Sequence, residues 1–165
     1  RDKAFENYKL NLQSTDNIYN LPEKEYEVIT MWHVLEHVHD LKPYLHQCFK
    51  CLKQNGRLII AVPNYTSFDA SYYKKYWAAY DLPRHLYHFS PKSMAILLKE
   101  MGFEIVALKP MWYDSFYVSL LSEKYKQSGK LGTLLAGFIG LISNLMAIRD
   151  ASKGSSIIYE VKKAN

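Results

Sequence analysis

Two side chains suited to proton transfer and anion binding stand side by side in the segment Asp81–Phe89. The imidazole of His85 titrates near neutral pH, so it could act as a general base toward a polar nucleophile. The guanidinium of Arg84 could bind an anionic group of a substrate. The same pair could instead tie the segment to the body of the domain, and both interpretations remain open. We predict His85 as the catalytic residue.

A second candidate for chemistry is the run His33-Val34-Leu35-Glu36-His37, which formally matches the H-x-x-E-H pattern of a class of zinc hydrolases. In that pattern two histidines one helical turn apart bind zinc and the glutamate acts as a base. However, His33 directly follows a predicted strand, and the next helix signal begins only at Asp40. A zinc-dependent hydrolase is therefore a less favoured alternative, and we predict no metal site. We expect His37 to hold the loop through a hydrogen bond to the backbone.

The elements that would position these residues are a strand, a helix and a second strand. Tyr26–Trp32 is mostly apolar and β-prone, which is typical of a strand covered on both faces. Asp40 can cap the following helix, and Asn55-Gly56 is a signal for its end. Arg57–Val62 is a short apolar run bounded by glycine and proline. The sequence thus predicts a β-α-β unit with parallel strands, and a ligand site beyond their carboxyl ends.

A long connection over residues 65–90 follows the second strand and is rich in aromatic and titratable side chains. Long connections in compact domains are more often lids or binding loops than filler. We therefore predict that this region forms the substrate site, although ordinary packing is the alternative for its aromatic residues. The predicted substrate-binding residues are Asn64, Tyr65, Trp77, Arg84 and Tyr87. A helix is predicted to begin at Ser90-Pro91.

The chain resembles the class I S-adenosylmethionine-dependent methyltransferases in three stretches, which read YEVITMWHVLEHVHD, CLKQNGRLIIAVPN and LPRHLYHFSPKSMAILLKEMGFEIV. The resemblance implies an α/β, Rossmann-like fold with a mostly parallel sheet whose last two strands form an antiparallel hairpin. Phe103–Leu108 and Ser155–Val161 suit those two strands. The resemblance also implies S-adenosylmethionine as cofactor. In methyl transfer from a sulfonium, the protein mainly aligns the acceptor and supplies one general base where the nucleophile is poor.

The resemblance places cofactor contacts at two points of the chain. Thr15, Asp16 and Asn17 follow Tyr8–Leu12, which would be the family's third strand, and lie where the adenine is contacted. A carboxylate can accept a hydrogen bond from the exocyclic amine, but Asp16 could equally be a turn residue. The other predicted cofactor-binding residues, which follow the family's fourth strand, are Trp32, His33 and His37. His33 either contacts the cofactor or merely packs there.

Two features of the family have no counterpart here, namely the glycine-rich loop after the first strand and the acidic residue that ends the second. We therefore predict a single partial methyltransferase domain over 1–165 whose N-terminal strands are missing. Its predicted parts are a cofactor-side half over 1–64, a substrate or lid segment over 65–90, and a C-terminal part over 91–165 with an apolar helical insertion over 116–150. Without the glycine loop, the chain alone is expected to bind the cofactor weakly or not at all, and to be inactive. A non-catalytic interaction module is the main alternative function.

Composition agrees with one domain and limits the classes of partner that the protein could bind. The 165 residues are 48% apolar, and the net charge of +5 comes from scattered lysines and arginines. We therefore expect no nucleic-acid partner. The broad range of the family that the chain resembles suggests a small-molecule or glycan-related acceptor, and the apolar run over 131–148 would suit a lipid-linked one. Nothing resembles a secretory signal, which favours a cytoplasmic location.

Residues 131–148 form an apolar run without a charge, which reaches the lower length bound for a membrane span. Spanning conflicts with the predicted hairpin, because its two strands would have to pair from opposite sides of the bilayer. The run could be a helix packed on the domain, or a helix that faces a membrane or a second copy of the chain. Lysines before the run, and Arg149 and Lys153 after it, could meet anionic headgroups. Peripheral membrane association and a homo-oligomer contact through 131–148 both remain open.

Overall fold

A computed structural model describes residues 2–164. The strands of this part form one four-stranded sheet in the order β1-β2-β4-β3, with β1 at Tyr26–Trp32, β2 at Leu52–Pro63, β3 at Phe103–Pro110 and β4 at Ser156–Lys163. β1 pairs parallel with β2, while β4 lies antiparallel between β2 and β3. Three strands therefore run in one direction and β4 alone runs in the other. This confirms the predicted α/β fold, with a mostly parallel sheet and a C-terminal antiparallel hairpin.

The helices of the described residues are α1 (Asp2–Tyr8), α2 (Leu41–Cys51), α3 (Phe68–Tyr73), α4 (Pro91–Glu100), α5 (Asp114–Tyr125) and α6 (Gly129–Arg149). α4 begins as predicted. The Ser90 hydroxyl accepts a hydrogen bond from the Ser93 N–H at 3.1 Å, and the Ser93 hydroxyl accepts one from the Ser90 N–H at 2.8 Å. This reciprocal cap provides acceptors for backbone N–H groups that the first helical turn leaves free. Pro91 has no N–H, which costs nothing at this position because the helix would not use that donor.

The strand predicted at Tyr8–Leu12 is wrong. Tyr8 ends α1, and irregular backbone continues to Ser14. The alternating apolar residues Tyr8, Leu10 and Leu12 are all at least half exposed. A strand needs a neighbour to pair its backbone groups, and among residues 2–164 no strand lies beside this stretch.

The prediction that Asn55-Gly56 ends the helix is also wrong. α2 ends at Cys51, and both residues lie within β2. The register of β1 against β2 shifts between Tyr26 and Val28, and a Cβ atom at Gly56 would come within 3.1 Å of the Glu27 carbonyl oxygen. The glycine is therefore required for the close approach of two strands at an irregular point of the ladder.

Two hydrophobic clusters hold the fold together. The first packs α2 and α4 on the sheet and includes Leu45, Cys48, Ile60, Met94, Leu98 and Tyr159. The second joins the segment after β2 to α5 and α6 and includes Tyr73, Trp77, Ala78, Val118 and Ile139. Each large apolar side chain buried in this way contributes about 1.5–3 kcal/mol. The second cluster fixes the position of the long connection that the sequence predicts as the substrate site.

The helix expected over 131–148 forms as α6 and packs against α5 and α3. It meets α5 through small residues, and a Cβ atom at Gly140 would lie 2.7 Å from a ring carbon of Phe116. By length and composition alone α6 could cross a membrane. However, β3 before the α5–α6 pair and β4 after it are neighbours in the sheet. A single crossing by α6 is incompatible with that pairing.

Candidate active site

Two clefts adjoin the segment that follows β1. The first, which we call the histidine cleft, has a volume of about 250 Å³, and its lining includes His33, Asp81, Arg84, His85, Asp114 and Tyr117. The second, which we call the Asp16 cleft, has a volume of about 310 Å³, and its lining includes Thr15, Asp16, Tyr19, His37, His39 and Tyr44. Both lie near the carboxyl end of β1, where ligands bind in open α/β sheets.

His85 is set up to accept a proton. Its ring Nδ1 lies 2.8 Å from the Ala79 carbonyl oxygen, which can only accept a hydrogen bond. Nδ1 therefore carries the proton, and Nε2 keeps a lone pair. Burial lowers the pKa of His85 below its ordinary value of 6.5, so the ring is neutral near pH 7. A neutral imidazole with a free lone pair in a cleft has the properties of a general base.

His33 lies in the same cleft in the opposite electrostatic state. Its Nε2 is 3.0 Å from an Asp114 carboxylate oxygen, and its Nδ1 is 3.2 Å from one of Glu36. The hydrogen bonds to Asp114 and then Glu36 raise the pKa of His33 to about 9, although burial opposes them. Burial alone would raise the pKa of Asp114, but the hydrogen bond from His33 lowers it. His33 is thus an imidazolium at neutral pH, and its charge is paired with the carboxylates of Asp114 and Glu36.

The H-x-x-E-H run does not present a zinc-binding pair. Leu35–His37 is a single 3-10 turn, and His33 lies outside it with both ring nitrogens engaged by carboxylates. The hydrogen bond predicted for His37 is present, from Nδ1 to the Arg84 carbonyl oxygen at 2.9 Å. Ligand atoms of Glu36, His37 and His85 do come within 4.8 Å of one another, but they come from two segments rather than from one helix face.

One pair of imidazole rings separates the two clefts. His37 lines the Asp16 cleft, His85 lines the histidine cleft, and their ring centroids are 4.7 Å apart in an edge-to-face contact. The backbone holds this arrangement, because the Leu86 N–H donates to the Glu36 carbonyl oxygen at 2.8 Å. The loop after β1 and the segment around His85 therefore form one wall shared by both clefts.

Of the predicted substrate-binding residues, the structure brings Arg84 into the histidine cleft together with His85. Asn64 and Trp77 are 1% and 2% exposed and cannot touch a ligand in either cleft. The Asn64 amide donates to the carbonyl oxygens of Ser152 and Gly154, and the Trp77 indole donates to Asp69. Tyr65 is 42% exposed, and the Tyr87 hydroxyl donates to the His39 carbonyl oxygen. Neither tyrosine lines either cleft.

Of the predicted cofactor-binding residues, Thr15, Asp16 and His37 come together in the Asp16 cleft. Asn17 and Trp32 do not line this cleft; Asn17 donates to Gln13, and Trp32 is half exposed. His33 has a left-handed backbone (φ 52°), and its ring pairs with Asp114 in the histidine cleft. The structure thus separates His33 from the rest of the set.

Asp114, Tyr19, Tyr44 and Asp69 were not predicted from the sequence. A signal for Asp114 existed, because it follows the first strand of the predicted hairpin. That strand, β3, is parallel to β1 and β2, so its carboxyl end lies at the same edge of the sheet. Asp69 has no such local signal. Two of its hydrogen-bond partners, Ser143 and Ser155, lie 74 and 86 positions further along the chain.

The ion pairs of His33 should make stability depend on pH. Because folding raises the pKa of His33 from 6.5 to about 9, the stabilisation is complete below pH 6.5 and disappears as pH rises through about 9. The full shift is worth about 3 kcal/mol, and with a third of the side chain exposed we expect about 1–2 kcal/mol. In urea unfolding, His33→Asn should be less stable than the wild type by that amount at pH 6, with a difference that vanishes near pH 10. Asparagine tolerates the positive φ.

The control is His46→Asn, at an exposed position of α2, which should be nearly as stable as the wild type. A loss of stability in His33→Asn that stays constant with pH would contradict the ion pairs.

Comparisons with known proteins identify the family of the chain. A model of the methyltransferase domain matches residues 3–108. A search of curated proteins finds no match. Among solved structures, a SAM-dependent methyltransferase of Thermotoga maritima, described as a possible histamine N-methyltransferase, matches with a TM-score of 0.58 at 16% identity, over 92% of this chain and 63% of that one. The cyclase SpnF matches with a TM-score of 0.57 at 15% identity, over 99% of this chain and 60% of that one.

A third match is the 1,6-didemethyltoxoflavin-N1-methyltransferase of Burkholderia thailandensis, solved with 1,6-didemethyltoxoflavin and S-adenosylhomocysteine. Its TM-score is 0.50 at 16% identity, over 90% of this chain and 48% of that one. At such identities the three likenesses establish the fold alone, and this chain spans less than two thirds of each of these proteins. The family match, by contrast, covers more than half of the chain. The chain therefore belongs to the methyltransferase-domain family.

Proposed function

We propose that the protein transfers a methyl group from S-adenosylmethionine, bound in the Asp16 cleft, to an oxygen or nitrogen nucleophile in the histidine cleft, with His85 as general base. The observation that carries this proposal is the contact between His37 in one cleft and His85 in the other. Methyl transfer is an in-line displacement and requires donor and acceptor in adjoining sites. Membership of the methyltransferase-domain family supports the same reaction class.

The side chains of the Asp16 cleft fit an adenosine group. The Asp16 carboxylate can accept a hydrogen bond from an exocyclic amine, and the rings of Tyr19 and Tyr44 offer faces for a purine. Thr15 and His37 complete the residues that would hold the cofactor. When bound, S-adenosylmethionine supplies an electrophilic methyl group on a sulfonium.

The histidine cleft suits a polar acceptor with an anionic group that Arg84 can bind. Its lining carries both signs of charge, because the His33 imidazolium is paired with Asp114, and Tyr117 adds an aromatic wall. Arg84 bonds Asp81 at 2.7 Å but is largely exposed, so an anionic ligand can compete for it. We propose an acceptor from the small-molecule, glycan-related or lipid-linked compounds, with its nucleophile directed at His85.

His85 takes the proton that the nucleophile must lose. The proton passes to Nε2 while the Ala79 carbonyl oxygen continues to hold the Nδ1–H, so the ring keeps its orientation. The resulting imidazolium is favoured by the nearby carboxylate of Glu36, which acts against the effect of burial on the pKa of His85. His33, already protonated, cannot perform this step. Environments that push the pKa values of two neighbouring histidines apart assign their roles.

Cofactor binding can be tested without knowing the acceptor. Because the glycine-rich loop of the family has no counterpart here, we expect weak binding, and S-adenosylhomocysteine titrated at high concentration into the ¹⁵N-labelled chain should shift the amide resonances of Thr15, Asp16 and His37. Asp16→Ala should weaken this binding by about 10-fold or more, because a hydrogen bond to a charged acceptor is lost. Glu6→Ala, which removes an exposed carboxylate from α1, should leave the affinity unchanged. The proposal fails if no resonances of the Asp16 cleft shift, or if Asp16→Ala binds as the wild type does.

A further inference from the structure

The outward side of α6 is an uncovered apolar surface. Small residues of this helix, together with Ile139, are buried, whereas six of its large apolar side chains are exposed to solvent. These six are Leu131, Leu134, Phe138, Leu141, Leu145 and Ile148, each 48–78% exposed. Their spacing alternates between three and four positions, so they lie on one stripe of the helix, which we call the outer apolar face. Soluble monomers rarely leave a contiguous surface of this kind uncovered.

Positive charges frame the outer apolar face. From Lys124 to Arg149 the chain contains no aspartate or glutamate. Lys130 and Arg149 are exposed at the two ends of α6, and Lys124 and Lys153 are exposed just beyond them, with the exposed carboxylate of Asp150 next to Arg149. An apolar stripe that contains no carboxylate and lies between more cations than anions is the composition of helices that lie in the interface of anionic membranes.

The charges distinguish a lipid surface from a second copy of the chain. If two α6 helices paired antiparallel, Lys130 of each copy would approach Arg149 of the other, and in parallel pairing each would approach its own counterpart. Like charges would meet in both arrangements, and only Asp150, next to Arg149, would oppose the repulsion between them. Residues 131–148 also carry no charged side chain beside the stripe that could form the interhelical ion pairs of a coiled coil. Anionic headgroups complement the same cations.

We propose that the outer apolar face binds the protein to an anionic lipid surface, with α6 lying in the plane of the membrane–water interface. The helix has 21 residues and is therefore about 31 Å long. It does not cross, because the strands on either side of the α5–α6 pair are neighbours in the sheet. Tyr113, which directly precedes α5, is 87% exposed, and Tyr117 of α5 is 62% exposed. Tyrosine rings of this kind are enriched at the headgroup level of membranes.

Vesicle sedimentation tests the proposal without cofactor or acceptor, so its outcome is independent of methyl transfer. The chain should sediment with vesicles of phosphatidylcholine containing about 30% phosphatidylglycerol, much less with phosphatidylcholine alone, and less as salt rises. Leu134→Ser and Phe138→Ser should each weaken this binding about 5- to 10-fold. Lys130→Glu combined with Arg149→Glu should abolish the preference for the anionic vesicles.

Ile96→Ser is the matched control, because Ile96 is an exposed apolar residue, 59% accessible, on the separate helix α4. It should bind vesicles as the wild type does. The proposal is overturned if the wild type stays in the supernatant with both kinds of vesicle, or if Ile96→Ser loses as much binding as Leu134→Ser. Sedimentation velocity provides the second readout. A dimer that Leu134→Ser dissociates, together with no vesicle binding, would assign the outer apolar face to a second copy of the chain instead.

Discussion

Replacement of His85 by glutamine is expected to lower the rate of methyl transfer by about 100-fold or more, the usual contribution of a positioned general base. The glutamine amide can still donate to the Ala79 carbonyl oxygen, which His85 now holds at 2.8 Å, so the local structure should be kept. It has no lone pair basic enough to accept the proton of the nucleophile. The affinity for S-adenosylhomocysteine should be unchanged, because His85 lines the other cleft.

The measurement is the release of S-adenosylhomocysteine from S-adenosylmethionine in the presence of an acceptor, found by screening hydroxyl and amine compounds that carry a negative charge. His88→Gln is the control. Its ring also bonds a backbone carbonyl, that of Tyr80 at 2.9 Å, but it does not line the histidine cleft. If His85→Gln keeps most of the activity, or if His88→Gln loses as much, His85 is not the base.

The pH profile separates a base from a merely structural histidine. Because burial lowers the pKa of His85, kcat/KM should fall on acidification with a midpoint below 6.5. His33 remains charged until about pH 9, so binding of an anionic acceptor should weaken above that pH. The expected profile is bell-shaped, and His85→Gln should lack its acidic limb while keeping the alkaline one.

The elements with a strong local pattern could be predicted from the sequence. The apolar runs that became β1 and β2, the cap of α4 and the long apolar helix follow from local composition and capping chemistry, whereas the hairpin was implied by the family resemblance. The strand predicted at Tyr8–Leu12 failed because its alternating pattern has no neighbour to pair with in the described residues. Asn55-Gly56 misled for a related reason. Glycine occurs both where two strands approach closely and where a helix ends, so the residue type alone does not distinguish the two cases.

The candidate site was predicted in part from the family resemblance and much less where tertiary packing decides. The resemblance implied cofactor contacts at Asp16 and His37, and the structure brings both to one cleft, although the strand expected before Asp16 does not form. Trp77 and Asn64 were predicted from their place in an aromatic loop and are buried in hydrogen-bond networks instead. The positive charge of His33 depends on its contact with Asp114, and the neutrality of His85 depends on burial. Neither can be predicted from the residues that are near in sequence.

Loss of the Asp69 carboxylate should strongly destabilise the folded protein. Asp69 is fully buried and accepts three hydrogen bonds, from the Trp77 indole at 2.8 Å and from the hydroxyls of Ser143 and Ser155 at 2.7 Å each. These donors come from the segment that leads to the histidine cleft, from α6 and from the residue before β4. One carboxylate thus joins three parts of the chain.

Asp69→Ala should lower the free energy of unfolding by about 3–5 kcal/mol, because it leaves three buried donors without an acceptor, and a domain of this size has only about 5–15 kcal/mol. Urea unfolding measures the loss. Asp150→Ala, which removes an exposed carboxylate that accepts one hydrogen bond from the Ser152 N–H, should cost about 1 kcal/mol. The combination of Asp69→Ala with Trp77→Phe, Ser143→Ala and Ser155→Ala removes the donors as well, and should be more stable than Asp69→Ala alone. The contrary result would be a combined variant that is less stable than the wild type by the sum of the losses of its four single substitutions. The three hydrogen bonds would then not act as one network, and the orientation of the histidine cleft would depend on hydrophobic packing around Trp77.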